Sequence, residues 1–295
     1  MQLEQEGVKV FPQPRVLKII QDKGLQKLFY QEHNIPTAPF ALVANTEEIA
    51  QSGMAYPFFQ KLRTSGYDGY GVRKVKNEDD LSGSFKAASV IEVMADLQKE
   101  LSVIVSRNEK GETNAFPVVE MEFNPESNMV QYLFAPARID NEIAEKATAL
   151  ALEVIEKLDM VGILAVEMFY NKDGSIWVNE VAPRPHNSGH HTIEAGLCSQ
   201  YEQHLRAILN LAPGSTAALQ YGAMVNLLGE KGFEGTPVYA GIEDILGMEG
   251  VFVHLYGKSK TKAFRKMGHV TVVGKDAEQV KADANKILTT IKVKA

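Results

Sequence analysis

Ile163-Leu-Ala-Val-Glu-Met-Phe-Tyr170 and Ser175-Ile-Trp-Val-Asn-Glu-Val181 flank the turn signal Asp173-Gly174 and read as two strands of a hairpin. With a two-residue turn, Lys172 stands opposite Ser175, and counting outward sets Glu167 opposite Glu180. Facing positions hold their Cβ atoms about 4.5–5.5 Å apart, and like charges there repel unless a cation lies between them. Ala165, Phe169, Val178 and Ala182 are read onto the same face, which recesses the pair. On this reading Glu167 and Glu180 are hard oxygen ligands for Mg²⁺. Taken alone, the pattern also fits two solvated glutamates. Relief of the repulsion predicts a more stable hairpin for Glu180→Gln.

The residues that follow favour the ligand reading. Asn179-Glu-Val-Ala-Pro-Arg-Pro-His-Asn-Ser-Gly-His-His-Thr192 packs Arg184, His186, Asn187, Ser188, His190 and His191 between Pro183, Pro185 and Gly189. A surface loop does not need that density of donors. Arginine suits a phosphoryl or carboxylate group, and imidazole with amide suits a small oxyanion. A polar turn with helix-capping duties is the plainer alternative. Upstream, Lys61-Leu-Arg-Thr-Ser-Gly-Tyr-Asp-Gly-Tyr-Gly71 places a strand lysine before a glycine-rich loop, a phosphate-binding layout that is not a Walker A sequence. Glu92 and Glu100 flank a short segment between two strands, and by themselves suggest only a linker.

The wider chain sets the frame. Its 295 residues are 45% apolar and 23% charged, and 31 basic against 37 acidic residues give a net charge of -6. This is an ordinary globular balance, unsuited to broad binding of nucleic acid or anionic membrane. The single cysteine, Cys198, cannot form an intramolecular disulfide, and with no targeting or membrane-spanning pattern a cytoplasmic setting is expected. Residues 7–11 read as a short strand, residues 16–20 and 25–33 as helical runs, and residues 56–63 as a strand. Residues 90–107 and 115–134 read as antiparallel strands. Helices are expected over 139–158 and 192–209 and a closing one over 276–291, with strands at 223–228, 251–256 and 269–273. Strands outnumber βαβ units, so the expectation is α+β with mostly antiparallel sheets.

In order, a lysine, a glycine loop, a hinge with a carboxylate and two facing glutamates resemble an ATP-grasp fold. The likeness narrows at residues 179–192, where the chain resembles the 5-(carboxyamino)imidazole ribonucleotide synthases of purine biosynthesis. It extends over Gln21-Asp-Lys-Gly-Leu-Gln-Lys27, Ile35-Pro-Thr-Ala-Pro39, Gly66-Tyr-Asp-Gly69, residues 200–207 and Arg265-Lys-Met-Gly-His269. The resemblance implies an ATP- and Mg²⁺-dependent ligase, dimeric like its relatives, that carboxylates 5-aminoimidazole ribonucleotide with bicarbonate through carboxyphosphate.

It also implies roles for residues. Lys23 and Lys61 meet the ATP phosphates, and Gly66, Tyr67, Asp68, Gly69, Tyr70, Gly71 and Val72 cover them. Glu92, Val93, Met94 and Ala95 form the adenine hinge, and Glu100 takes the ribose hydroxyls. Glu167 and Glu180 hold Mg²⁺, with Asn179 beside them. Arg184, His186 and Asn187 bind bicarbonate and carboxyphosphate. Lys258, Arg265 and Lys266 meet the ribonucleotide phosphate.

The pattern departs from the family at Ser65-Gly66, at Lys262-Ala-Phe264 and at Phe123, where some relatives carry a histidine. The expected division is a remnant of an N-terminal domain and linker over 1–21, an ATP-grasp domain over 22–210 and a small β-rich substrate-phosphate domain over 211–295. The family's Rossmann-like N-terminal domain is expected to be absent. Another ATP-grasp carboxylate ligase, and an ATP-binding fragment with uncoupled or no turnover, are the alternatives.

Overall fold

The computed structural model describes residues 2–64, 66, 70–123 and 130–295. Two short helices, α1 (Gln2–Gln5) and α2 (Pro14–Ile20), lead into α3 (Lys23–Glu32). Pro14 starts α2, and the Asp22 side chain caps α3 by accepting from the N–H groups of Gly24 and Leu25. Residues 7–11 form no strand, a correction to the sequence reading. Pro12 removes a ladder donor there, and the segment has no neighbouring strand.

A four-stranded sheet follows, built from β1 (Phe40–Val43), β2 (Phe58–Leu62), β3 (Val72–Val75) and β4 (Ser89–Val93) in the order β1-β4-β2-β3, with α4 (Thr46–Gln51) after β1. It keeps its own apolar cluster of Val43, Ile49, Phe58, Val75 and Ile91.

The second sheet has nine strands. Its members are β5 (Leu97–Arg107), β6 (Thr113–Ala115), β7 (Val119–Phe123), β8 (Val130–Ala135), β9 (Gly162–Asn171), β10 (Ile176–Ala182), β11 (Tyr221–Leu228), β13 (Val251–Leu255) and β14 (Lys266–Gly274). The order is β10-β9-β5-β7-β8-β11-β14-β13, with β6 on β5, while β12 (Val238–Ala240) pairs separately with β15 (Lys292–Lys294). The named strand pairs are antiparallel, as expected of an α+β chain. Because β8 pairs with β11, the C-terminal strands continue the sheet that carries the hairpin.

The clearest sequence helix is α5 (Asn141–Lys157), whose Ile143, Ala147, Leu150 and Val154 pack on Leu101, Val103, Val105, Leu164, Val166 and Met168. Alternation sends Glu100, Ser102, Glu167 and Phe169 to the opposite face of the same strands. The expected helix over 192–209 is two helices, α6 (Thr192–Ala195) and α7 (Gln200–Ile208). Gly196 leaves the helical region, and Ser199 restarts the helix by accepting from Glu202 N–H. The closing helix α8 (Ala277–Thr290) is capped by Asp276.

Candidate functional site

The hairpin β9–β10 places Glu167 opposite Glu180, by a different route from the one the sequence suggested. The loop is Lys172-Asp173-Gly174, closed by Asn171 N–H donating to Ser175 O, with Gly174 at φ +86. The first pairs are therefore Tyr170 with Ile176, Phe169 with Trp177 and Met168 with Val178. A β-bulge at Asn179 then shifts the register by one residue and restores the Glu167–Glu180 pairing. Val178 and Val181 both enter the α5 core, which is possible only because the bulge turns Asn179 and Glu180 together to the other face. Val178 is thus not on the glutamate face.

The backbone before the bulge is pinned. Val178 N–H donates to Pro36 O at 2.7 Å, and Thr37 Oγ1 donates to Val178 O at 2.7 Å.

Across from the carboxylates stand three lysines. Lys23 begins α3 and pairs with Glu180, whose side chain stays 44% exposed. Lys61, on β2, pairs with Glu92 and donates to Asn179 Oδ1 at 2.9 Å. Lys27, one helical turn after Lys23, reaches Glu92 Oε2 at 2.7 Å and Thr37 Oγ1 at 2.6 Å. Lys23, Gln26, Lys27, Lys61, Val90 and Asn179 line a small cavity between them.

Lys27 escaped the sequence reading. Its one local signal is the i, i+4 spacing from Lys23. Burial would push the Glu92 carboxyl up, but Lys61 and Lys27 outweigh it and hold it down to about 2. So the Glu92 side chain is buried between two lysines, while Val93, the last residue of β4, and Met94 and Ala95 on the way to β5 are half-buried.

The carboxylate side is less well compensated. Burial, then the Glu180 and Glu100 charges, push Glu167 up to about 8. For Glu180 burial pulls the same way, but Lys23 and Lys61 bring it below the ordinary carboxylate range. Burial also raises Glu100 to about 7, with Lys61 pulling against it and Glu180 adding to it. Glu180 therefore already has a cation, and the expectation that Glu180→Gln would stabilise the hairpin is replaced by the same expectation for Glu167.

Of the loop residues, Tyr67, Asp68 and Gly69 lie outside the described residues. Gly66 abuts Tyr70 O and the Lys23 side chain, and Gly71 returns the chain to β3 by accepting from Leu62 N–H. Val72 pairs with Lys61 in the ladder, and the Tyr70 side chain is exposed.

The tract after β10 folds over Glu167. His186 Nε2 lies 3.3 Å from Glu167 Oε1. Its Nδ1 accepts from Ser188 N–H at 3.3 Å and bonds Ser188 Oγ at 3.0 Å, and Ser188 Oγ bonds Ser102 Oγ at 2.8 Å. A backbone donor on Nδ1 assigns the ring proton to Nε2, so His186 points a donor at the carboxylate. Burial, then Arg184 and Lys266, depress His186 to about 3, which keeps the ring neutral. Asn187 is buried, and its Nδ2 has no partner among the described residues.

Arg184 is exposed and donates to Pro185 O at 3.0 Å. Of the C-terminal basic residues, Lys266 is close enough to act on Glu167, His186 and His190. Lys258 joins it by donating to Lys266 O at 2.6 Å, while Arg265 spends one guanidinium N–H on Lys260 O at 2.7 Å. Among the described residues, no group of three or more His, Cys, Asp or Glu side chains gathers in metal-binding geometry.

Comparison with known proteins places this arrangement. Residues 28–201 match the ATP-grasp domain, and residues 222–283 match the phosphoribosylaminoimidazole carboxylase C-terminal domain. The chain is 37% identical over 262 residues to the N5-carboxyaminoimidazole ribonucleotide synthase of Bacillus subtilis, covering 87% of this chain and 67% of that protein. It is 37% identical over 278 residues to the phosphoribosylaminoimidazole carboxylase of Candida glabrata, spanning 90% of this chain but only 48% of that relative's length. Its structure superposes on the crystal structure of N5-carboxyaminoimidazole ribonucleotide synthetase from Thermotoga maritima with TM-score 0.90 and 44% identity, over 100% of this chain and 78% of that one. An Aspergillus clavatus synthase in complex with ADP and 5-aminoimidazole ribonucleotide superposes with TM-score 0.87 at 30% identity, over 97% and 78% of the two chains. The chain belongs to the N5-carboxyaminoimidazole ribonucleotide synthase family of ATP-grasp proteins.

Proposed function

We propose that the chain is a ligase that uses ATP and bicarbonate to carboxylate the exocyclic amine of 5-aminoimidazole ribonucleotide, in the cytoplasm. The observation that carries this reading is the 3.3 Å approach of His186 Nε2 to Glu167 Oε1, which joins the oxyanion-binding tract to the paired carboxylates in one site. The ADP and ribonucleotide of the Aspergillus complex, at 30% identity over nearly the whole chain, support the same substrates here.

The residues divide the work. Val93, Met94 and Ala95 offer backbone groups to adenine, and Glu100 accepts from the ribose hydroxyls. Lys23 and Lys61 exchange their present partners, Glu180 and Glu92, for phosphate oxygens, under the cover of residues 66–72. Glu167 and Glu180 fit Mg²⁺: two facing carboxylates, one short of positive charge, supply part of an oxygen shell that nucleotide phosphates and water complete. Bound there, Mg²⁺ would neutralise charge on the β- and γ-phosphates.

Arg184, the neutral His186 and the unpartnered Asn187 amide hold bicarbonate so that one oxygen faces the γ-phosphorus. That oxygen bonds to phosphorus as the bond to ADP breaks. The resulting carboxyphosphate gives its carboxyl carbon to the amine, directly or as CO₂: the bond from that carbon to the phosphate oxygen breaks, the C–N bond forms, and the amine's proton leaves with the phosphate. Lys266, with Lys258 and Arg265 beside it, meets the ribonucleotide phosphate from β14 and its approach.

We place the whole in a homodimer. On α7 and its C-cap, Tyr201, Leu205 and Leu209 form an exposed apolar stripe at i, i+4 spacing that a second copy would cover. Sedimentation at equilibrium checks the dimer. Phosphate release and carboxylated product, measured with ATP and Mg²⁺ while bicarbonate and ribonucleotide are omitted in turn, test the activity. Bicarbonate-dependent hydrolysis with product formed is expected. Hydrolysis indifferent to bicarbonate would overturn the reading.

A further inference from the structure

We infer that Gln200 is a positioning residue for this reaction: its carboxamide clamps the backbone of His186 and so sets where the imidazole and Asn187 stand. The inference rests on the reading that these two side chains hold the bicarbonate.

Between Ala182 and His186 the chain has left β10 and has no neighbouring strand, and Pro183 and Pro185 carry no N–H. Something else must satisfy and hold the His186 backbone. Gln200, fully buried at the start of α7, does both. Its Oε1 accepts from His186 N–H at 2.8 Å, and its Nε2 donates to His186 O at 2.9 Å. One side chain thus makes the pair of bonds that an adjoining strand would make. The same Nε2 lies 3.0 Å from His190 Nδ1, so the clamp holds both ends of the turn. Gln200 is itself anchored, its N–H donating to Thr192 Oγ1 at 2.9 Å, which donates to Gly189 O at 2.6 Å.

Gly189 supplies a second observation. It is not among the positive-φ glycines, so backbone conformation does not demand it. A Cβ built there would fall 2.5 Å from Gln200 Oε1, 2.6 Å from its Cδ and 3.0 Å from its Nε2, so the carboxamide is what it strikes first. Gly189 is glycine to admit this carboxamide. The consequence reaches the ring. With the backbone fixed, Ser188 N–H can donate to His186 Nδ1, and the proton stays on Nε2, facing Glu167.

The test compares Gln200→Met, Gln200→Glu, Gly189→Ala and the pair Gln200→Ala with Gln200→Ala/Gly189→Ala. In Gln200→Met and Gly189→Ala, kcat for bicarbonate-dependent hydrolysis should fall about a hundredfold while KM for ATP holds, since the ATP contacts lie on other elements. Gln200→Glu, which keeps the acceptor and loses the donor, should lie between them and wild type. Gly189→Ala should add nothing on the Gln200→Ala background, because the side chain it strikes is gone. If Gly189→Ala fails to fold alone, recovery of the fold in the double variant supports the same clamp. Nitrogen spectra of ¹⁵N-histidine protein give a readout without activity. His186 should show a single Nε2–H tautomer in wild type and a mixture in Gln200→Met and Gly189→Ala. An unchanged His186 spectrum in both, or full additivity in the double variant, would overturn the clamp. A wild type without bicarbonate-dependent hydrolysis would instead overturn the reading of function, and the spectra would still decide the clamp.

Discussion

The lysine side and the carboxylate side of the site are built to opposite balances. On the first, Lys27 and Lys61 share one buried glutamate, Glu92, and Lys61 also has Asn179 Oδ1. The cations there are paired before any nucleotide arrives. On the second, Glu167 faces Glu180 and touches a neutral imidazole, and its carboxyl is pushed up to about 8 by burial first and then by Glu180 and Glu100, which outweigh the pull of Lys23 and Lys266. The difference teaches which side a ligand completes. On the proposed reading, a nucleotide phosphate would take over lysines that already have partners, whereas a cation would fill a shortage on the glutamate side.

The comparison can be broken most severely at Glu92. Glu92→Gln strands two buried lysines against each other, and about 3–5 kcal/mol of stability should be lost in urea unfolding. Lys27→Met on that background should return part of it. A loss below about 1 kcal/mol would mean that the triad is not what holds the lysine side.

A pH series sharpens the other side. Glu100 has a native value of about 7 against an ordinary 4.5, so the folded state binds its proton more tightly than the unfolded state. Stability of the ligand-free protein should therefore be greatest below about 4.5 for this group and fall as pH rises to about 7, by at most about 3 kcal/mol. Glu100→Gln should flatten that part of the profile, and an unaltered slope would contradict the burial of the charge.

The smallest effect separates the two facing glutamates. Glu167→Gln should raise the melting temperature, a gain of about 1 kcal/mol, because it removes a buried carboxyl that faces a second carboxylate without a cation paired to it directly. Glu180→Gln should not, because it deprives Lys23 of its partner. Both should abolish Mg²⁺-dependent ATP hydrolysis.

Much of this was legible in the sequence where the signal is local. The 3.6-residue periodicity marked α5, and the crowding of donors after Pro183 marked the tract. The facing glutamates were found through two offsetting errors. The turn holds three residues rather than two, and the bulge at Asn179 makes up the difference. A bulge has no sequence signature here, and only the shared burial of Val178 and Val181 betrays it. Lys27 and Gln200 were missed for another reason. What they do depends on partners brought close by tertiary folding, Glu92 for one and the backbone of His186 for the other. A break such as residues 196–199 inside a helical run is similarly set by a cap, which competes with periodicity and wins.

The two sheets also divide the molecule mechanically. Glu167, Glu180 and Lys266 ride on one hydrogen-bonded fabric, continuous through the β8–β11 seam, so their mutual spacing is stiff. The small sheet keeps its apolar cluster to itself and is tied to that fabric by polar fastenings: Arg63 with Asp22, Lys27 with Glu92 and Lys61 with Asn179. Fastenings of this kind can be undone and remade against phosphate or water without baring oil to solvent. Swinging the small sheet would therefore shift Lys61 and β4 together while leaving the mutual spacing of Glu167, Glu180 and Lys266 untouched.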